Sequence, residues 1–95
     1  MVRIIIERHC QPSKEIEMEP LYLELRAGAM RQYGYISGET LKSVSDPSFC
    51  LVISTWVDAK SWKSWETSSQ RREIVSRIEP LLTTPEQISV FSFAL

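Results

Sequence analysis

The chain has 95 residues, of which 43% are hydrophobic and 24% are charged, and its formal net charge is -1. This length fits one domain over residues 1–95, and the balanced composition excludes a disordered or fibrous protein. The basic residues are too scattered for a typical nucleic-acid-binding surface, and no apolar run is long enough to cross a membrane.

The cysteines and the single histidine limit the chemistry further. Cys10 and Cys50 show no CxxC spacing, so we interpret both as reduced packing residues. The apolar run of MVRIIIERHC stops at Glu7, too early for a signal peptide, and we expect a cytoplasmic protein. No metal site is expected, because His9, Cys10 and carboxylates would have to converge from one strand end.

The first elements in the chain are a strand and a helix. Residues 2–9, VRIIIERH, are mostly β-branched and apolar, which favours a strand. Ser13 can cap the helix that follows, and Pro20 either places the start of that helix near Glu19 or kinks a longer helix. The predicted apolar stripe of the helix recurs every three or four residues and consists of Met18, Leu21, Tyr22, Leu25, Ala29 and Met30.

Two further strands are predicted in the middle of the chain. The segment from Tyr35 to Val44 favours a strand, with Gly38 as a candidate bulge. Asp46 and Pro47 predict a tight turn, and residues 49–57, FCLVISTWV, predict the third strand.

The last part of the chain predicts a divided helix and a final strand. Asp58 can cap a short helix over residues 59–67, and Ser68 or Ser69 can cap a second helix that Pro80 ends. The fourth strand is ISVFSFAL, residues 88–95. The apolar stripe of the second helix consists of Ile74, Val75 and Ile78.

This order, β-α-β-β-α-β, predicts an α+β fold of the ferredoxin-like type, a four-stranded antiparallel sheet with its helices on one face. Both faces of the predicted strands are apolar, as Ile5 beside Ile4 and Phe91 beside Val90 illustrate. Because the helices can cover only one face, we expect a homodimer in which two sheets pack face to face.

All three tryptophans lie in WVDAKSWKSW, residues 56–65. Trp56 ends a strand, while Trp62 and Trp65 are three apart on a helix and so point the same way, towards the sheet. Aromatic rings of this kind fill a core or an interface, or they form the flat wall of a pocket.

The stretch STWVDAKSWKSWETSSQRREIV, with RIIIERH and GYISGETL, resembles the antibiotic biosynthesis monooxygenase family. The most specific part is Trp56 at the strand end, then the next aromatic residue along the chain, Trp62, and then the W-x-x-S of Trp65 to Ser68. The resemblance implies a dimeric α/β barrel and an enzyme that oxidises phenolic or quinol-like compounds without metal or flavin. Trp65 matches the tryptophan that lines the pocket in relatives.

Some members of that family degrade haem, and the resemblance also bears on this reaction. The haem-degrading branch has its axial histidine ten residues after the pocket tryptophan, where this chain has Val75. The first-strand asparagine of that branch also has no counterpart in RIIIERH. Valine cannot ligate iron, so haem degradation by that route is disfavoured.

Oxygenation without a cofactor requires a flat apolar wall, a base or positive charge near the substrate hydroxyl, and few waters. The candidate substrate-binding residues are Trp65, Trp56, Tyr35 and Arg71. His9 is the first candidate base, because its side chain titrates near neutrality, and Glu7 is the second if it faces inward.

Each of these residues also has a plainer interpretation. A histidine at a strand end is often exposed, Glu7 can simply pair with an arginine, and Arg71 can lie on a solvated helix face. Haem binding through another ligand, such as His9 or a tyrosine, is a weaker possibility, and two functions lead. The first is a cofactor-independent monooxygenase acting on a small aromatic or quinol-type compound, and the second is a non-catalytic homodimer that binds a small hydrophobic molecule.

Overall fold

The chain folds into four strands and three helices in the predicted order. The computed structural model describes all residues from 1 to 95. The strands are β1 (Val2–His9), β2 (Tyr35–Lys42), β3 (Phe49–Trp56) and β4 (Gln87–Ser92). The helices are α1 (Glu15–Met30), α2 (Ala59–Glu66) and α3 (Ser69–Ile78), and a 3₁₀ turn follows at Glu79–Leu81. No helix has the length and apolar character needed to cross a membrane.

The strands form one antiparallel sheet in the order β2-β3-β1-β4. β1 is central, and its Ile4 lies between Ser54 of β3 and Val90 of β4. The main buried cluster joins β1 to apolar residues from all three helices, so the helices lie on one face of the sheet. The ferredoxin-like prediction is confirmed.

Side chains of β1 alternate between the two faces of the sheet. Ile4, Ile6 and Arg8 are buried under the helices, whereas the residues between them point to the opposite side. We call that opposite side the outer face, and it carries Arg3, Ile5, Glu7, His9, Leu41, Leu51, Ile53, Phe91 and Phe93. The aromatic residues of the outer face are about half exposed in the single chain. Phe91 is 53% and Phe93 is 48% exposed.

α1 matches the longer of the two predicted helices and differs from the sequence prediction in two other ways. It begins at Glu15 and runs through Pro20, so the alternative of a start near Glu19 is wrong. Ser13 does not cap it, because Ser13 has a φ of 70° and the N-cap is Lys14, whose side chain makes no capping bond. Met30 was assigned to the buried stripe but is exposed; the buried positions of α1 are Met18, Leu21, Leu25 and Gly28.

β2 ends at Lys42 rather than Val44, and its irregularity lies between Tyr35 and Ser37 rather than at Gly38. Gly38 instead leaves room for the Tyr35 side chain, since a Cβ there would lie 2.6 Å from the hydroxyl oxygen of Tyr35. Strands β3 and β4 are also shorter than predicted, because regular pairing ends at Trp56 and Ser92.

Candidate functional site

A small cavity lies between the helices and the sheet. Its free volume is about 50 Å³, which is room for about three or four water molecules. Its wall is built from β1, β2 and β3 on one side and from α1, α2 and α3 on the other. Most of the lining is apolar, and the polar exceptions include two buried arginines.

Helix caps fix the direction of the tryptophans that reach this cavity. The Asp58 carboxylate accepts a 2.7 Å hydrogen bond from the backbone N–H of Ser61, which starts α2 immediately after β3. Trp62 and Trp65 then lie three residues apart on the buried side of α2, and both line the cavity. The Ser68 hydroxyl accepts from the backbone N–H of Arg71 at 3.2 Å and starts α3.

The aromatic rings pack edge to face. Trp56 and Trp62 have ring centroids 5.8 Å apart with an interplanar angle of 67°, and Tyr35 meets Trp56 at 5.4 Å and 90°. The buried indole Nε1–H of Trp56 donates to the Ser54 hydroxyl oxygen at 3.0 Å. Edge-to-face packing and a satisfied indole N–H hold these rings in one arrangement. The cavity therefore has a fixed aromatic wall.

Gly28 of α1 allows the closest approach between a helix and this wall. A Cβ at position 28 would lie 2.5 Å from the Cη2 atom of Trp65, closer than non-bonded atoms pack. Trp65 is 2% exposed, so its ring has little room to move away. The lack of a side chain at Gly28 thus sets the position of the Trp65 ring.

Two arginines and one glutamate form a buried charge cluster at the edge of the cavity. Arg8 Nε donates to Glu86 Oε2 at 3.0 Å, and Arg71 Nη2 donates to Glu86 Oε1 at 2.8 Å. Arg8 is 2% and Arg71 5% exposed. Both arginines line the cavity.

The cluster keeps Glu86 ionised. Burial alone would raise the pKa of the Glu86 carboxyl, but the charges of Arg8 and Arg71 and their hydrogen bonds outweigh burial, so this pKa lies below its ordinary value. A carboxylate with a lowered pKa is a weak base. Glu86 therefore acts as a counter-ion for the arginines rather than as a proton acceptor.

Aromatic faces complete the surroundings of both guanidinium groups. Arg8 lies over the Tyr22 ring at 5.6 Å, and Arg71 lies over the Trp62 ring at 5.4 Å. Arg8 Nη1 is buried and has no hydrogen-bond partner. Burial, together with a hydrogen bond to Cys50, raises the pKa of the Tyr22 phenol, so Tyr22 is neutral beside the cavity.

A second cavity, of about 150 Å³, lies next to the first and is lined in part by Cys10 and Cys50. Both cysteines are buried and free, in agreement with their prediction as packing residues. Tyr22 and Thr40 line both cavities. No three His, Cys, Asp or Glu side chains come together in a metal-binding group.

The residues predicted from the sequence divide between the two faces of the sheet. Trp56, Trp65, Tyr35 and Arg71 line the cavity together. The two candidate bases do not reach it: Glu7 and His9 both lie on the outer face. The His9 ring is exposed and stacks on its cross-strand neighbour Phe49, with ring centroids 4.5 Å apart and planes 4° from parallel.

Sequence reasoning missed Arg8, Tyr22, Gly28 and Glu86. A signal for Arg8 was present, because it falls in the same alternate set of β1 positions as Ile4 and Ile6 and so had to point under the helices. The sequence has no comparable signal for Glu86, which precedes β4 and meets Arg8 only in the folded sheet.

Solved structures with this fold are similar over nearly the whole chain. A putative antibiotic biosynthesis monooxygenase from Nitrosomonas europaea has a TM-score of 0.91 at 12% identity, with 100% of both chains covered. SnoaB, a cofactor-independent oxygenase from Streptomyces nogalater, has a TM-score of 0.85 at 15% identity, covering 99% of this chain and 94% of SnoaB. A conserved protein from Methanosarcina mazei Go1 has a TM-score of 0.88 at 19% identity, covering 95% of this chain and 89% of that protein.

No curated protein matches the sequence. The family model described as antibiotic biosynthesis monooxygenase matches residues 1–77, which include β1 to β3 and nearly all the helical residues. These residues supply every side chain of the cavity wall. The chain belongs to the antibiotic biosynthesis monooxygenase family.

Proposed function

We propose that this protein is a cofactor-independent monooxygenase that oxidises a small aromatic or quinol-type compound in the cavity beside Trp65. Membership of a monooxygenase family supports the reaction class at the family level. The observation that carries the proposal is a fixed aromatic wall placed against buried positive charge. Trp56, Trp65 and Tyr35 are the proposed wall, and Arg71 is the proposed charged contact.

The chemistry that such a site supports is the reaction of a substrate anion with oxygen. In an anthrone-like substrate the reacting CH₂ becomes C=O, one oxygen atom enters the product, and the other leaves as water. The reaction with oxygen first requires a substrate carbanion. A positive charge in a water-poor cavity lowers the free energy needed to form that carbanion. Arg8 and Arg71 supply that charge at the edge of the aromatic wall.

No buried side chain at the cavity is a strong base. Glu86 is held ionised with a lowered pKa, and the two candidate bases, Glu7 and His9, lie on the outer face. The proposed mechanism therefore relies on stabilising the anion and not on a positioned proton acceptor. Substrates that already lose a proton close to neutral pH suit it best.

A substrate of several rings needs more space than the cavity offers in the isolated chain. Ligand pockets are usually about 300 to 1,000 Å³, whereas this cavity has about 50 Å³. Tyr22 separates it from the adjoining cavity of about 150 Å³. We propose that the substrate enters by displacing the half-buried ring of Tyr22.

The test is oxygen uptake with a panel of anthrone-like and quinol compounds. Wild type should consume oxygen with at least one of them, Trp65→Ala should lose most of this activity, and Trp65→Phe should retain more because it keeps a flat ring. Tyr33→Ala is a matched control, since Tyr33 is an exposed aromatic residue outside the cavity. Equal background uptake by wild type and Trp65→Ala across the panel would refute the proposal.

The second candidate function is a non-catalytic protein that binds a small hydrophobic molecule. It is favoured by the lack of a strong base at the cavity. It predicts saturable quenching of tryptophan fluorescence by the same compounds, without consumption of oxygen. Detection of an oxidised product would exclude it.

For either function we propose a homodimer in the cytoplasm, formed by the outer faces of two sheets. Leu51, Phe91 and Phe93 leave apolar surface on a face that no helix covers. Burial of such surface drives association. Sedimentation should give a dimer for wild type and a monomer for Phe91→Asp; a monomeric wild type at micromolar concentration would contradict the assembly.

A further inference from the structure

The charge cluster at the cavity is not balanced. Arg8 and Arg71 are both buried and share one carboxylate, Glu86, so the three groups together carry one excess positive charge. Arg26 and Glu39 also line the cavity, but both are exposed and their charges are opposite. The neutral Tyr22 phenol adds no negative charge. Buried charges in folded proteins are normally paired, so one partner is missing.

The hydrogen bonds show where that partner is missing. Arg71 uses Nη2 and Arg8 uses Nε to bind the two oxygens of Glu86. Arg8 Nη1 is the one buried side-chain nitrogen or oxygen in the chain without a hydrogen-bond partner. A buried donor without a partner destabilises a folded protein unless another molecule accepts a hydrogen bond from it. Arg8 also lines the cavity, so it is within the wall that a molecule bound there would contact.

We propose that the cavity takes an aromatic molecule carrying a single ionised acid group, and that Arg8 binds this group through Nη1. The aromatic wall of Trp56, Trp65 and Tyr35 accepts the ring, and the ionised oxygen balances the excess charge at the cavity edge. A carboxylate on the ring is the acid group that we propose, because a charge-assisted hydrogen bond to its oxygen is strong. The inference rests on the proposed site but not on the proposed oxidation.

The test compares two ligands of the same outline, 2-naphthoate and its neutral amide, by isothermal titration calorimetry at pH 7 in low-chloride buffer. A hydrogen bond to a charged group is strong enough to favour the acid by about tenfold or more in Kd. Wild type should therefore prefer 2-naphthoate. Equal affinities, or no naphthoate binding up to millimolar concentration, would overturn the proposal.

Three variants identify the group responsible. Arg8→Met keeps an unbranched apolar side chain but removes the guanidinium group and the excess charge, so the two ligands should bind equally well. Arg77→Met is the matched control, because Arg77 is an exposed arginine paired with Glu24 and Glu73, and it should keep the wild-type preference. Glu86→Gln adds to the positive charge and should strengthen naphthoate binding while leaving amide binding unchanged.

Each result separates the alternatives. Preference for the acid that persists in Arg8→Met, or naphthoate binding that weakens in Glu86→Gln, would overturn the role of Arg8. If Arg8→Met does not fold, the comparison of the two ligands in wild type and in Glu86→Gln decides the question. A protein that prefers the acid but consumes no oxygen with any substrate would refute the proposed reaction and leave this ligand class intact.

Discussion

Replacement of Glu86 by glutamine should destabilise the fold strongly. The carboxylate bridges two buried arginines at 3.0 and 2.8 Å, and its own side chain is 12% exposed. Removal of its charge leaves Arg8 and Arg71 buried side by side without a counter-ion. Breaking a buried ion pair from one side costs about 3 to 5 kcal/mol. A typical domain of 95 residues has about 5 to 14 kcal/mol of stability, so the variant stays folded at 25 °C unless the stability of wild type lies at the lower end of that range.

The same change should alter the pH dependence of stability. The pKa of Glu86 is lowered in the folded chain, so its contribution is complete above the ordinary value of 4.5 and is lost as the pH falls through the lower folded value. Glutamine cannot titrate. The difference in unfolding free energy between wild type and Glu86→Gln should therefore be largest near pH 7 and should shrink below pH 4.5.

Urea unfolding at fixed protein concentration, repeated between neutral and acidic pH, measures both effects. Glu24→Gln is the matched control, because Glu24 also binds an arginine through both oxygens but lies at the surface. Solvent screens that pair, so its loss should matter much less. If Glu86→Gln costs no more than Glu24→Gln, or if its cost does not depend on pH, the reasoning about the buried cluster is wrong.

Three other changes test the cavity wall. Gly28→Ala should lower stability, because pushing the Trp65 ring aside costs about 1 to 3 kcal/mol, against a helix-propensity gain of about 1 kcal/mol. Urea unfolding and tryptophan emission measure this effect, and a variant more stable than wild type would contradict it. Ser54→Ala should cost about 1 to 3 kcal/mol in the same assay, since it leaves the Trp56 indole N–H buried and unpaired, and an unchanged midpoint would refute that bond. The raised pKa of Tyr22 predicts one phenol that ionises later than usual in an absorbance titration, and Tyr22→Phe should remove that late step; if it survives, the assignment fails.

Much of the fold follows from local patterns in the sequence. The alternation in VRIIIERH marks β1 at its observed bounds, and the caps at Asp58 and Ser68 place the starts of α2 and α3. The sequence predictions are wrong where the surrounding structure, and not the residue type, determines the conformation or exposure of a residue. Ser13 has the chemistry of a cap but lies at positive φ in the turn before α1, and Met30 has the right spacing for the core but is exposed beyond Gly28.

The site was only partly predictable for the same reason. The residue type and spacing of the tryptophans predict their place in the site, and the cap of α3 at Ser68 places Arg71 in the first turn of that helix. Which face a strand residue occupies depends on register, and that register places Glu7 and His9 on the outer face while turning Arg8 inward. Glu86 is joined to Arg8 across 78 positions of sequence, and no local pattern reports a contact of that range.

That long-range contact also affects when the protein can fold during its synthesis. Arg8 belongs to the first strand, which emerges early in synthesis, whereas its counter-ion lies just before the last strand. A nascent chain that stops short of residue 86 lacks both the carboxylate that neutralises two buried arginines and the strand β4 that pairs with β1. The native state should therefore be reached late, after the C-terminal segment is available, and shortening the chain by ten residues should abolish it rather than weaken it.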